Sequence, residues 1–105
     1  MNTSDSENVG CFESSDDGGF VLQRDLTFAT VNEILSESLP LFSGQTSISI
    51  DLKQVGESDS AGLALLIEWA SWARQNDCDI RFENVPRQLK TIAEISEVSG
   101  LIGTQ

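Results

Sequence analysis

Residues 47–52, Ser-Ile-Ser-Ile-Asp-Leu, alternate strictly between polar and apolar side chains. Successive side chains on a strand point to opposite faces, so Ile48, Ile50 and Leu52 share one face while Ser47, Ser49 and Asp51 share the other. A strand patterned this way belongs to a sheet covered on one side only. Ile80 and Phe82, alternating with Arg81 and Glu83, repeat the pattern in a second short strand. Between the two strands, residues 60 to about 75 carry apolar side chains at helical spacing, which makes the segment a strand-helix-strand unit. The chain is therefore α/β, and its sheet has a helical side and a polar side.

The rest of the sequence extends this unit. Asp17-Gly18, followed by Gly19, lies between candidate strands at 10–14 and 20–24, the signature of a hairpin turn. A first helix is expected to begin near Thr27 or Thr30, with Thr30 and Glu33 at capping-box spacing. Val31, Ile34, Leu35 and Leu39 form its buried stripe, and Pro40 is expected to stop it. A third helix is expected to start at Pro86, with Leu89, Ile92 and Ala93 on its apolar face and Gly100 at its end. The predicted order is hairpin, helix, strand, helix, strand, helix. This gives a small mixed β-sheet with helices packed on one face.

With 105 residues and 39% apolar content the chain holds one core. Residues 1–9, MNTSDSENV, have little to bury and are expected to be a disordered acidic tail, with 10–105 as the domain. The formal charge of −11, from 17 acidic and 6 basic residues, argues against nucleic acid and against an anionic lipid surface. Neither histidine nor tyrosine occurs. That removes Ser-His-Asp and Cys-His catalysis and every histidine-containing metal site; catalysis by carboxylates alone would need a matched pair that the sequence does not place, so no enzyme activity, cofactor or metal is expected. The start of the chain is polar, and no apolar run approaches the ~20 residues of a membrane span. Cys11 and Cys78 are thus expected to be reduced thiols in the cytosol.

The informative stretch runs from Asp51 to Trp72, DLKQVGESDSAGLALLIEWASW. Asp59 or Ser60 can cap the helix that opens there, and a carboxylate at that point suits the positive end of the helix dipole. Ala61 and Gly62 leave the first turn bare, so another surface can approach the backbone. Leu63, Leu66, Ile67 and Ala70 follow i, i+3, i+4, i+7 spacing and are expected to face the sheet. Ala61, Leu65, Trp69 and Trp72 point the other way. Either the flanking helices cover that stripe or it awaits a partner. Tryptophan is enriched at interface centres, so Asp59, Ser60, Ala61, Gly62, Leu65, Trp69 and Trp72 form the candidate docking surface. Ser60 is read either as a helix cap or as a phosphorylation site. Other motifs fail. Gly56 to Gly62 lacks the lysine of a phosphate loop, no serine has the glycines two residues to either side that a nucleophile elbow needs, and Glu57 with Asp59 makes at best a weak cation site.

From Asp59-Ser60-Ala61-Gly62-Leu63 onward the chain resembles the STAS domains of anti-sigma-factor antagonists and sulfate-transporter tails. The likeness covers about residues 10–104, including Leu26-Thr27-Phe28-Ala29-Thr30, Ile48-Ser49-Ile50-Asp51-Leu52 and Ser99-Gly100-Leu101. The run from Asp59 to Trp69 and the segment Phe82-Glu83-Asn84-Val85-Pro86 are most similar to the MlaB, or toluene-tolerance, branch. That resemblance implies a cytoplasmic, non-catalytic accessory subunit, bound to the ATPase of an inner-membrane ABC transporter. Such a transporter traffics phospholipids and maintains outer-membrane lipid asymmetry. It also places Ser60 where antagonists carry their phosphorylatable serine. The alternative it leaves open is an anti-sigma factor antagonist switched at Ser60. Ala61 stands where those antagonists commonly have Ser or Thr. A small-molecule-binding STAS module is a third option.

Overall fold

A computed structural model describes residues 10–15 and 18–95. Strands β1 (Phe12–Ser14) and β2 (Phe20–Leu22) form an antiparallel hairpin with Phe12 opposite Leu22. Gly18 adopts φ +90°, the positive backbone angle that the Asp17-Gly18 signal required, and Ser15 N–H donates to the Gly19 carbonyl at 2.9 Å to close the turn. Asp17 itself, the acidic tail and Gly100 lie outside the described residues. Helix α1 (Val31–Phe42) crosses to β3 (Ser47–Asp51), which pairs parallel with β2. Helix α2 (Ser60–Gln75) crosses to β4 (Asp79–Glu83), parallel to β3, and α3 (Arg87–Ile95) follows. The sheet order is β1-β2-β3-β4.

The register explains the two faces. Phe20, Ile50 and Phe82 align across β2, β3 and β4, with Ile48 beside Ile80. These form the helical side, whereas Ser49, Asp51, Arg81 and Glu83 fall on the polar side. Ile48, Ile50 and Leu52 are buried, as their alternation predicts.

Three local expectations change. Thr30 does stand at the start of α1, but it makes no side-chain cap. Its hydroxyl donates instead to the Asp25 carbonyl at 2.6 Å and accepts from Thr27 N–H at 3.0 Å, fastening the preceding loop. Glu33 is drawn into an ion pair with Arg24 at 3.1 Å, so no capping box forms. Pro40 sits inside α1, which continues to Phe42. The helix is ending anyway, so a missing donor there costs little. Pro86 precedes α3 by one residue, and its carbonyl accepts from Leu89 and Lys90.

The core is aromatic at its centre. Trp69 lies 5.7 Å from Phe42, 6.1 Å from Phe12 and 6.3 Å from Phe82, measured between ring centroids. Phe20 and Trp72 join through Phe42. The Trp69 indole N–H donates to the buried Ser38 hydroxyl at 2.8 Å, and that hydroxyl donates to the Leu35 carbonyl at 2.8 Å. A buried indole needs such a partner, and the chain supplies it from α1. No buried side-chain nitrogen or oxygen among the described residues lacks a hydrogen bond.

Candidate functional site

The helix that carries the candidate site spans Ser60–Gln75, as its periodicity predicts, but its faces differ from the expected ones. Trp69 is 0% and Leu65 4% exposed, and Trp72 is half-buried. The proposed outward stripe of Leu65, Trp69 and Trp72 is therefore corrected. Successive residues turn by about 100° around a helix. Gly62, Leu66, Trp69 and Ala73 then point at the sheet, and all four are buried. Ala61, Leu65 and Trp72 form one flank, beside Val31, Leu35 and Leu39 of α1. Leu63, Ile67 and Ala70, expected against the sheet, form the opposite flank towards α3. Helix α2 contacts both neighbouring helices, so more than half of its circumference is covered. The exposed line is Ser60, Ala64, Glu68, Arg74 and Gln75.

The start of α2 is built by two loops clasped together. Leu26 N–H donates to the Glu57 carbonyl at 2.8 Å, Asp59 N–H returns to the Leu26 carbonyl at 3.0 Å, and Glu57 N–H donates to Asp25 Oδ1 at 3.0 Å. Asp59 is the cap. Its Oδ1 accepts from Ala61 N–H at 2.9 Å and Gly62 N–H at 3.4 Å, and its Oδ2 accepts from Phe28 N–H at 3.2 Å. One carboxylate thus satisfies donors that α2 would otherwise leave open and also ties down the loop before α1. Ser60, the first helical residue, is left exposed rather than used as the cap.

Gly62 takes a different role from the one its sequence position implied. It is buried, and a Cβ there would stand 2.8 Å from Leu26 Cβ and 3.1 Å from the Leu26 carbonyl carbon, and closer still to its oxygen. The bare first turn is filled by this chain's own Leu26, not held open for a partner. Ala61 remains half-buried beside the groove between α1 and α2.

A residue that sequence reasoning passed over completes the surface. Of seven aromatic side chains, six belong to the core cluster, while Phe28 is 83% exposed. Its backbone is anchored to the Asp59 carboxylate, so the ring is presented at the mouth of α2. The one available signal was its isolation: Phe28 lies among Thr27, Ala29 and Thr30, outside any apolar periodicity. Between α1 and α2 runs a groove of about 260 Å³ lined by Val31, Asn32, Leu35, Ala61, Ala64, Leu65 and Glu68.

Elsewhere, Cys11, Glu33 and Glu37 lie within 4.8 Å of one another, a spacing that could hold a metal ion. Arg24 already occupies that neighbourhood, 3.1 Å from Glu33 and 3.6 Å from the Cys11 sulfur, and Glu37 accepts the Cys11 N–H at 2.8 Å. The carboxylates have partners, and this donor set is poor for an ion. Burial, with Glu37 adding to it, pushes the Cys11 thiol up to about 11, so near neutral pH it is protonated and not a ready nucleophile. No helix among the described residues is long and apolar enough to cross a membrane.

The surface that remains offers an anchored exposed phenyl ring, an exposed helix start and a shallow apolar groove. A mixed four-stranded sheet with three helices has the architecture expected of a STAS fold. No curated protein matches the chain. The family model described as Mlab, STAS domain, matches residues 13–103, nearly the whole domain, and the chain therefore belongs to the STAS-domain family of the MlaB type.

Proposed function

We propose that this protein is a non-catalytic docking subunit that binds the ATPase of an Mla-type ABC transporter, in the cytoplasm at the inner membrane. Through that contact it supports phospholipid trafficking and outer-membrane lipid asymmetry. The observation that carries the reading is Phe28. A chain that packs its six other aromatic side chains into or against the core leaves one ring 83% exposed, its backbone anchored to Asp59 at the start of α2. Large exposed apolar groups next to an apolar groove mark interaction sites, and an aromatic anchor is the usual centre of binding energy. The docking surface is thus Phe28 with Asp59, Ser60, Ala61 and the groove. Leu65 forms part of the groove wall, and Gly62, Trp69 and Trp72 support the surface from behind. The test is co-purification of the ATPase subunit with the wild-type chain, Phe28→Ser and Ser60→Asp. Wild type is expected to retain the ATPase and both variants to lose it. Absence of the ATPase from the wild-type complex, or its full retention by both variants, refutes the reading.

One observation favours the second reading, an anti-sigma factor antagonist switched by phosphorylation. Ser60 is exposed at the first position of α2, accessible to a kinase. Asp59 already occupies the Ala61 and Gly62 amides, so a phosphate on Ser60 would gain no free amides there and would be repelled by the adjoining carboxylate. Such a modification would release a partner, not recruit one. ATP-dependent mass gain at Ser60 with a cognate kinase distinguishes this reading from the first.

A further inference from the structure

The groove between α1 and α2 carries information about what occupies it. Its walls are Val31, Leu35, Ala61, Ala64 and Leu65, with Asn32 and Glu68 as the polar members, and no cation lines it. At about 260 Å³ it falls below the roughly 300–1,000 Å³ of small-molecule sites, so it suits one inserted side chain better than a ligand. Its surroundings are acidic. Glu68 is exposed on its rim, and Asp25, Glu57 and Asp59 crowd the adjoining start of α2. Arg24 is spent on Glu33, Lys53 pairs with Asp51 and Arg81 with Asp79, while Arg74, exposed at the far end of α2, lines a separate pocket with Ile67, Ala70 and Ser71. A second copy of this chain would bring the same carboxylates to the same place, and at a net charge of −11 each copy repels the other.

We infer that the groove receives a cationic amphipathic segment of the ATPase subunit, one bulky apolar side chain seating against Val31, Leu35 and Leu65 while flanking lysine or arginine faces Glu68 and Glu57. The inference rests on the docking reading above and adds the chemistry of the partner to it. Complementary charge raises association rates and is screened by salt, whereas the apolar insertion is not.

The experiment measures binding of the full chain to the purified ATPase subunit by calorimetry in about 50 mM and about 500 mM sodium chloride, beyond which exposed charges are largely screened. The wild-type Kd is expected to rise about tenfold across that range. Glu68→Lys is expected to raise Kd about tenfold at low salt and to flatten the salt dependence, with Glu68→Gln lying between. Glu94→Lys on α3, the same charge change outside the groove, is expected to stay within about twofold of wild type. Thermal melts of each variant establish that it is folded, and Glu68→Gln carries the comparison if Glu68→Lys is not. Wild-type binding that ignores both salt and Glu68 overturns this inference and leaves the docking reading standing. No binding by wild type overturns both. A dimer of the chain that Glu68→Lys breaks assigns the groove to a second copy, and the inference falls.

Discussion

Trp69 is the residue whose role the structure reverses, and its hydrogen bond to Ser38 provides a sharp test. Replacing Ser38 with Ala leaves the indole N–H buried without a partner, because its only acceptor is removed and the site admits no solvent. An orphaned buried donor costs about 1–3 kcal/mol. In a Trp69→Phe background the donor is gone, and Ser38→Ala loses only the hydroxyl's bond to the Leu35 carbonyl, worth about 0.5–1.5 kcal/mol at most in net terms. The two substitutions should therefore be coupled by about 1–2 kcal/mol, within the range typical of contacting residues. Urea unfolding of wild type, both single variants and the double variant, followed by circular dichroism, measures the cycle. Costs that add to within about 0.5 kcal/mol would show that the indole does not bond Ser38. Trp69→Ala is a different experiment. It is expected to cost about 3–5 kcal/mol, much of a small domain's stability, so loss of a partner in that variant reports unfolding and not docking. A Trp69→Ala protein as stable as wild type would return the indole to the surface and refute the packing described above.

Phe28→Ser should leave urea stability within about 0.5 kcal/mol of wild type while weakening ATPase binding at least about tenfold, since exposed residues contribute little to folding and aromatic anchors dominate interfaces. Gly62→Ala should destabilise by about 1–3 kcal/mol despite alanine's better helix propensity, because its Cβ meets backbone atoms of Leu26 that cannot give way cheaply; an unchanged or higher midpoint in urea would contradict that contact. Cys11 should resist maleimide at pH 8 in the native state and react once unfolded. Its thiol titrates near about 11 in the fold against an ordinary 9.0, so the unfolded chain loses that proton first. The stability due to the neutral buried thiol is present below about pH 9 and declines as pH rises towards about 11. A Cys11→Ala variant should lack that part of the alkaline decline.

Elements whose pattern is set by their own side chains were legible from the sequence. The alternation at 47–52 encodes β3, the periodicity from Ser60 encodes α2, and Asp17-Gly18 announces the hairpin. Capping was less so, because the Thr30 hydroxyl and the Glu33 carboxylate each had two possible partners. Tertiary contacts with Asp25 and Arg24 prevailed. Pro40 misled for a related reason: in the last turn of a helix it removes a bond that the fraying end barely uses.

The faces of α2 were the hardest to read, and the difficulty is geometric. Two apolar stripes on one helix are compatible with a core on one side and a partner on the other, or with a helix wedged between two neighbours. Composition cannot separate these, since both need the same residues. What separates them is the exposed remainder: Ser60, Ala64, Glu68, Arg74 and Gln75 leave a narrow line, and a helix with so little exposed circumference must be flanked on both sides. Once the tryptophans are counted as core, the aromatic group still unexplained is Phe28, whose ring lies outside every periodic stripe. Its backbone is held by the same Asp59 carboxylate that caps α2, so helix start and exposed ring are fixed relative to each other. That shared carboxylate makes a testable joint claim. Asp59→Ala should both loosen the first turn of α2, by about 0.5–2 kcal/mol, and weaken docking through Phe28. If stability falls while ATPase affinity stays at the wild-type value, the ring is not positioned by Asp59 and the docking surface must be drawn without it.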